Sequence, residues 1–348
     1  VIFYVYKYLN GFKGGMKMNI ELIRKIVKAS GVKAGELVLI HFWGEDTSIN
    51  IMHNFARAVV ELGASPLELQ QSRNNNKVIF EVAGETSFDS KYYSVFENVD
   101  AVLDVFAYQP VILGYQLEEK QMNLYRNYMR GLFSALMGKT RFTQIRIPTV
   151  ENAQESGLEP EDFIDRLTKA YDIDYPKLKD SCEGKMEELK KAKQINLHSG
   201  DNCYLTLETE GREWIADCGD GDWPCGEVYI APVEPKTNGT IFYHQLYMED
   251  VGEIEDITLW VENGLLMKSD NTEVNNFIKR LPKENRVVCE LGFGCNEKVT
   301  SLCGYTVLDE KMIGTFHIAI GDNTMFGGNN KADFHMDFVG TAEVEIIY

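Results

Sequence analysis

Apolar residues recur at helical spacing from Ile20 to Ala29, where Ile20, Ile23, Ile26 and Val27 share one face. A near-continuous apolar run follows, Glu36-Leu37-Val38-Leu39-Ile40-His41-Phe42, and it predicts a strand buried on both faces. Helical spacing returns from Ile49 to Leu62 and stops at Gly63, a C-terminal cap signal. Further strands are predicted from Pro66 to Leu69, over Val99–Val105 and over Phe142–Ile147, with a helix across Glu118–Met137. Short units of strand, helix and strand imply a parallel sheet covered by helices.

Residues 151–193 break this rhythm. They are polar and helical and end in the charged run Met186–Lys193, which reads as a solvated connector. From Asn202 to Thr209 the period becomes two, with Cys203, Leu205 and Leu207 alternating against Tyr204, Thr206 and Glu208. Short strands and glycine turns continue to the C-terminus. The expected fold class is therefore α/β: an N-terminal parallel-sheet domain over 1–192, connector included, and a C-terminal α+β domain over 193–348. Residues 1–17, with Val1–Tyr6 at their start, read as an extension or a short edge strand preceding Met18.

Composition narrows the function. An excess of 53 acidic over 35 basic residues gives a net charge of −18, which argues against nucleic acid or an anionic membrane as partner. Val1–Tyr6 is too short for a membrane span. The seven cysteines are odd in number and form no CxxC pair, so neither a disulfide framework nor a zinc–thiolate knuckle is expected. Free thiols suggest a reducing cytoplasm.

The densest chemical signal lies near the end. In an extended segment, residues two apart share a face, so His335 and Asp337 present an imidazole and a carboxylate side by side. His317 lies eighteen residues earlier, across a link containing Gly327 and Gly328 that would bring it close. Glu290 sits in the apolar run Val288-Cys289-Glu290-Leu291, where a carboxylate is costly unless a cation compensates it. No lysine or arginine adjoins it, so a metal or a distant basic group is expected. Glu227 opens another apolar run after a turn, and Glu310 stands in Leu308-Asp309-Glu310-Lys311. Oxygen and imidazole donors suit zinc, cobalt, manganese or iron. Four carboxylates exceed what one ion needs and could serve two divalent ions that together activate water.

These segments resemble the thermophilic-aminopeptidase (M29) family of metallopeptidases, related to aminopeptidase T. The resemblance rests on Gly226-Glu227-Val228 with Ala231-Pro232, Glu290-Leu291-Gly292-Phe293-Gly294 with Asn296, Asp309-Glu310, His317-Ile318-Ala319-Ile320-Gly321 and His335-Met336-Asp337, in that order. It implies a two-domain enzyme, usually a homodimer, that removes N-terminal amino acids from peptide substrates through a dinuclear centre with a bridging water. The implied metal ligands are Glu227, Glu290, Glu310, His317, His335 and Asp337, with Glu290 also the general base.

Two departures open alternatives. Seven residues after His317 the family has a tyrosine that helps stabilise the transition state, whereas this chain has Thr324. The stretch from Asp322 to Asn330 is similar to a divergent branch that includes ring-cleaving dihydroxypyridine dioxygenases. That branch implies a single Fe(II) held by His317, His335 and Asp337. A non-catalytic descendant that binds a metal or small ligand is the third reading.

Overall fold

The computed structural model describes residues 18–110, 117–139, 141–219 and 221–348, so the expected N-terminal extension lies outside the described residues. The chain divides into two compact units, residues 1–172 with 219–223, and residues 173–218 with 224–348. The mixed α/β class read from the sequence is the observed one.

The first unit holds a parallel sheet. Its strands are β1 (Leu37–Trp43), β2 (Ser65–Gln71), β3 (Ala101–Phe106) and β4 (Arg141–Arg146), in the order β2-β1-β3-β4. Two later residues, β8 (Asp222–Trp223), return to pair with β4. Every residue of β3 is buried, and all but the first of β1, as the continuous apolar runs require. Helices cover the sheet. Ile20–Ala29 starts at Asn19, whose side chain accepts the Leu22 N–H at 2.9 Å. Ile49–Glu61 ends before Gly63, whose φ of 82° suits the glycine-specific helix exit. The main aromatic core packs Trp43, Phe80, Phe106, Tyr125 and Tyr128 around Leu132. A buried acid lies among the polar groups inside this unit. Asp104 on β3 is fully buried beside His41 and accepts a hydrogen bond from the Trp43 indole.

Residues 150–189 form three helices, Val150–Glu155, Pro160–Tyr171 and Tyr175–Leu189. The third buries Tyr175, Leu178, Cys182 and Leu189, so it is a packed element of the second unit. The compact division accordingly falls at Asp172/Ile173, ahead of the charged run.

The second unit contains two antiparallel sheets. One has the order β12-β11-β10-β6-β5-β16, with β5 (Gln194–Ser199), β6 (Cys203–Glu208), β10 (Asn238–Met248), β11 (Gly252–Glu262), β12 (Leu265–Ser269) and β16 (Glu343–Ile347). The other has the order β15-β14-β13-β9-β7, with β7 (Ile215–Asp217), β9 (Glu227–Ile230), β13 (Val288–Gly294), β14 (Phe316–Gly321) and β15 (His335–Gly340). Phe316 on one face of β14 meets Tyr243 of β10, their ring centroids 5.8 Å apart. The alternation of side chains then puts His317, Ala319 and Gly321 on the opposite face.

Candidate metal centre

Register brings the expected ligands together. Asp337 of β15 pairs with Ala319 of β14, which pairs with Glu290 of β13. One pleat along, His317 pairs with Gly292, which pairs with Tyr229 of β9. Glu227 pairs with Gly294, and His335 with Gly321. Residues paired in this way share a face. Four strands therefore offer Glu227, Glu290, His317, His335 and Asp337 from one surface, which they share with Tyr229, Ala319, Gly292, Gly294 and Gly321. Glu310 arrives separately, just after the helical turn Thr306–Asp309, and is buried.

The small residues are required by the space. A Cβ on Gly292 would lie 2.0 Å from His317 Nε2, so the imidazole lies directly over the β13 backbone. A Cβ on Gly294 would lie 2.0 Å from the carbonyl oxygen of Met312, which lets the segment carrying Glu310 press against the sheet. Gly292→Ala should push His317 out of line, disturb its 3.4 Å contact with Glu290 and so lower metal affinity or activity by roughly 10–100-fold. Metal titration of the variant checks this, and an unchanged affinity and rate would show that the ring has room to spare.

Glu290 is the hinge of the cluster. Its Oε1 lies 3.4 Å from His317 Nε2, and its Oε2 lies 3.4 Å from His335 Nε2. His335 Nε2 is also 3.6 Å from Asp337 Oδ1. Donor atoms of Glu290, His335 and Asp337 all fall within 4.8 Å of one another, and among the described residues this is the group able to hold an ion. His335 Nδ1 lies 3.0 Å from the backbone carbonyl of Asp322, which can only accept. That contact puts the proton on Nδ1 and leaves the Nε2 lone pair for a metal. His317 Nε2 lies 3.5 Å from Glu227 Oε2, a buried oxygen with no hydrogen-bond donor. The iron triad of His317, His335 and Asp337 is thus not the set the geometry groups, since Glu290 takes the place of His317.

A residue that sequence reasoning passed over completes the cluster. Lys311 is fully buried, and its Nζ donates to Glu227 Oε1 at 2.5 Å and to Glu310 Oε1 at 2.6 Å. It adjoins Glu310 in sequence, which was the available sign. The distant basic group weighed for Glu290 is therefore present in the cluster, but on its neighbours.

The electrostatics describe a site made for cations. Burial raises the Glu227 and Glu310 carboxyls, against the pull of Lys311. Burial also acts to raise Glu290, but hydrogen bonding to His317 and His335 brings it down to about 2. Burial disfavours a charged His317, yet the Glu290 contact and the Glu227 charge push it up to about 9. His335 is likewise driven well above the usual imidazole range, burial being outweighed by Asp337, Cys289 and Glu290. In the metal-free chain, protons on the two imidazoles neutralise carboxylates that a metal would otherwise neutralise. Ionised oxygen donors, an oriented imidazole and an unsatisfied buried carboxylate oxygen fit a divalent cation.

Two surroundings matter. Thr324 is exposed, and its hydroxyl donates to Asp322 Oδ1 at 2.7 Å, closing a turn rather than facing the cluster. Tyr229 is half-buried beside Glu227 and Glu290; burial and those charges raise its phenol, so it remains a proton donor. The segment between β14 and β15 is held by buried Asn323, which donates to Glu234 Oε1 and to the Cys289 carbonyl, both at 3.0 Å. Arg212 holds Glu234 from the other side at 2.6 Å. A cavity of about 340 Å³ in this unit is lined by Lys185, Phe293, Cys295 and Phe316, which excludes the six expected ligands.

Fold and site together define an α/β protein of two units, with a carboxylate and imidazole cluster able to hold a metal ion on its C-terminal antiparallel sheet. The chain belongs to the thermophilic metalloprotease (M29) family, whose family model matches residues 21–347. It is by that membership a metallopeptidase, a metal-dependent hydrolase. Two solved structures share the fold. Wild-type AmpT from Thermus thermophilus superposes with a TM-score of 0.68 at 18% identity, over 94% of this chain and 95% of that one. The 2,5-dihydroxypyridine dioxygenase from Pseudomonas putida KT2440 gives 0.62 at 15% identity, over 94% and 92%. No curated protein matches the sequence. Among the described residues, no helix is long and apolar enough to cross a membrane.

Proposed function

We propose that the protein is a metal-dependent aminopeptidase, releasing N-terminal amino acids from peptides. The observation that carries this reading is the group of Glu290, His335 and Asp337 inside a carboxylate-rich cluster of the M29 fold. A bound zinc, cobalt or manganese ion there would polarise the scissile carbonyl and make water acidic enough to act near neutral pH. Glu290 would serve as the general base that accepts the proton of the attacking water. The Asp322 carbonyl orients His335, and the dry environment of Glu227 and Glu310 strengthens every charge in the site. Exopeptidase action on peptide N-termini is what the resemblance to the M29 family implies. The dinuclear centre and bridging water implied by the resemblance require a second ion, and Lys311 bears on that point below. A homodimer, also implied by the resemblance, belongs to this proposal and is read by light scattering.

The dioxygenase reading needs a triad of two histidines and one carboxylate. The grouped donors are one histidine and two carboxylates, a harder set that suits hydrolytic divalent ions better. The test is a peptide panel incubated with cobalt- or zinc-loaded protein and followed by mass spectrometry. Free N-terminal residues should appear, and N-acetylated peptides should survive. Equal cleavage of acetylated peptides, or consumption of 2,5-dihydroxypyridine with Fe(II) and oxygen in place of peptide cleavage, would overturn the proposal.

A further inference from the structure

Lys311 stands where the resemblance leads one to expect a metal. Its ammonium has three N–H donors, and two of them go to Glu227 Oε1 and Glu310 Oε1, both expected metal ligands. The backbone of Lys311 is fixed from both sides. Its N–H donates to the Leu308 carbonyl at 3.1 Å, and its carbonyl accepts from the Asn296 N–H at 2.8 Å. The same stretch presses on β13 so closely that a Cβ on Gly294 would lie 2.7 Å from the Lys311 carbonyl carbon. The side chain is 1% exposed. A lysine in this setting cannot swing to solvent without breaking the packing, and withdrawing it would leave two buried carboxyls without their cation.

Glu290 divides the cluster into two halves. Its Oε2 faces His335, beside Asp337, and its Oε1 faces His317, beside Glu227. That is the arrangement of a carboxylate serving two cation positions. The donors on the His335 side converge within 4.8 Å of one another, and those on the His317 side do not form such a group. On that second side the converging atom is Lys311 Nζ.

We propose that Lys311 is a built-in cation that takes one of the two cation positions, so that the centre holds a single divalent ion through Glu290, His335 and Asp337. A second divalent ion among Glu227 and Glu310 would sit against the ammonium in a dry, low-dielectric site, where like charges repel strongly. Glu227 and Glu310 then act as the lysine's partners and no longer as metal ligands. The inference rests on the metallopeptidase reading only for the presence of a metal.

Metal counting tests it without reference to activity. The full chain is stripped with chelator, loaded with excess zinc or manganese, desalted and measured by mass spectrometry for metal per chain. Wild type should hold about one ion, and Lys311→Met about two, the methionine filling a similar space without charge. Two ions in the wild type, or one ion in both, would overturn the inference. Circular dichroism reports whether Lys311→Met folds. If it does not, Glu227→Gln decides: it should keep one ion, whereas a count falling below wild type would make Glu227 a metal ligand and refute the role given to Lys311. A chain that holds one ion yet cleaves no peptide keeps this inference and sinks the aminopeptidase reading. A chain that cleaves peptides with two ions does the reverse. A chain that takes up no ion overturns both.

Discussion

Glu290→Gln should lower peptide hydrolysis by roughly 10³-fold while leaving the fold intact. The substitution is nearly isosteric, so the packing of a fully buried strand position is preserved. It replaces one carboxylate oxygen by an amide NH₂ and removes the charge. Each Glu290 oxygen lies 3.4 Å from a different histidine, so either orientation of the amide turns a donor toward one Nε2. The variant loses the base that takes a proton and weakens the triad that holds the ion. Glu290→Asp keeps the charge but withdraws it by one methylene, and an intermediate rate is expected. Steady-state rates on a peptide substrate at saturating metal check the series. Retention of more than about a tenth of wild-type turnover by Glu290→Gln would exclude Glu290 as the base.

Much of this centre was legible before any coordinates. His335 and Asp337 share a face because a strand has a period of two, and β15 is extended as that reading needs. Glu290 declared itself as an acid inside an apolar run, since such a charge needs a cation. The N-terminal parallel sheet was equally plain, because strands buried on both faces leave continuous apolar segments. What stayed hidden depends on register. Periodicity shows which face a residue takes but not which residue lies opposite. That Glu227 pairs with Gly294, and His317 with Gly292, could not be read from spacing. Nor does spacing reveal the use of Gly292 and Gly294, which is the space they leave over β13. Lys311 was overlooked for a related reason. A lysine beside a glutamate in a polar stretch reads as a surface pair, and only the approach of that stretch to β13 buries it. The helix Tyr175–Leu189 was taken as a connector because its charged residues outnumber its apolar ones. Its few buried residues, spaced along one side, are enough to dock it in the second unit.

The same registers tie the fold to the chemistry. An open metal position needs a ligand near solvent and a dry backing behind it. The His335 side chain is 35% exposed, whereas Glu227, Glu290 and His317 are buried. A substrate would therefore approach from the β15 side, past the turn that Asn323 and Glu234 hold in place. The exposed Thr324 sits on that turn with its hydroxyl committed to Asp322, so the position contributes to loop shape and not to acid catalysis.

The largest stability effect is expected far from this centre in sequence. Asp104→Ala should destabilise the parallel-sheet unit by about 3 kcal/mol. Asp104 is fully buried; its Oδ1 accepts the Trp43 indole N–H at 2.8 Å and lies 2.9 Å from His41 Nδ1. Its other oxygen has no hydrogen-bond partner. The carboxylate is thus already costly to bury, and it is tolerated because the buried indole N–H depends on it. Removing it orphans the indole N–H inside the sheet, beside a polar imidazole that is itself fully buried, and opens a cavity between β1 and β3. Asp104→Asn keeps an acceptor for the indole and fills the space, so its loss should be about 1 kcal/mol. The order of the two variants carries the argument: if size alone mattered, an isosteric apolar residue such as Leu would rescue, and if the acceptor matters, only Asn does. Urea unfolding followed by circular dichroism measures both as shifts in midpoint at constant slope. An alanine variant with the wild-type midpoint would show that the buried carboxylate contributes nothing net.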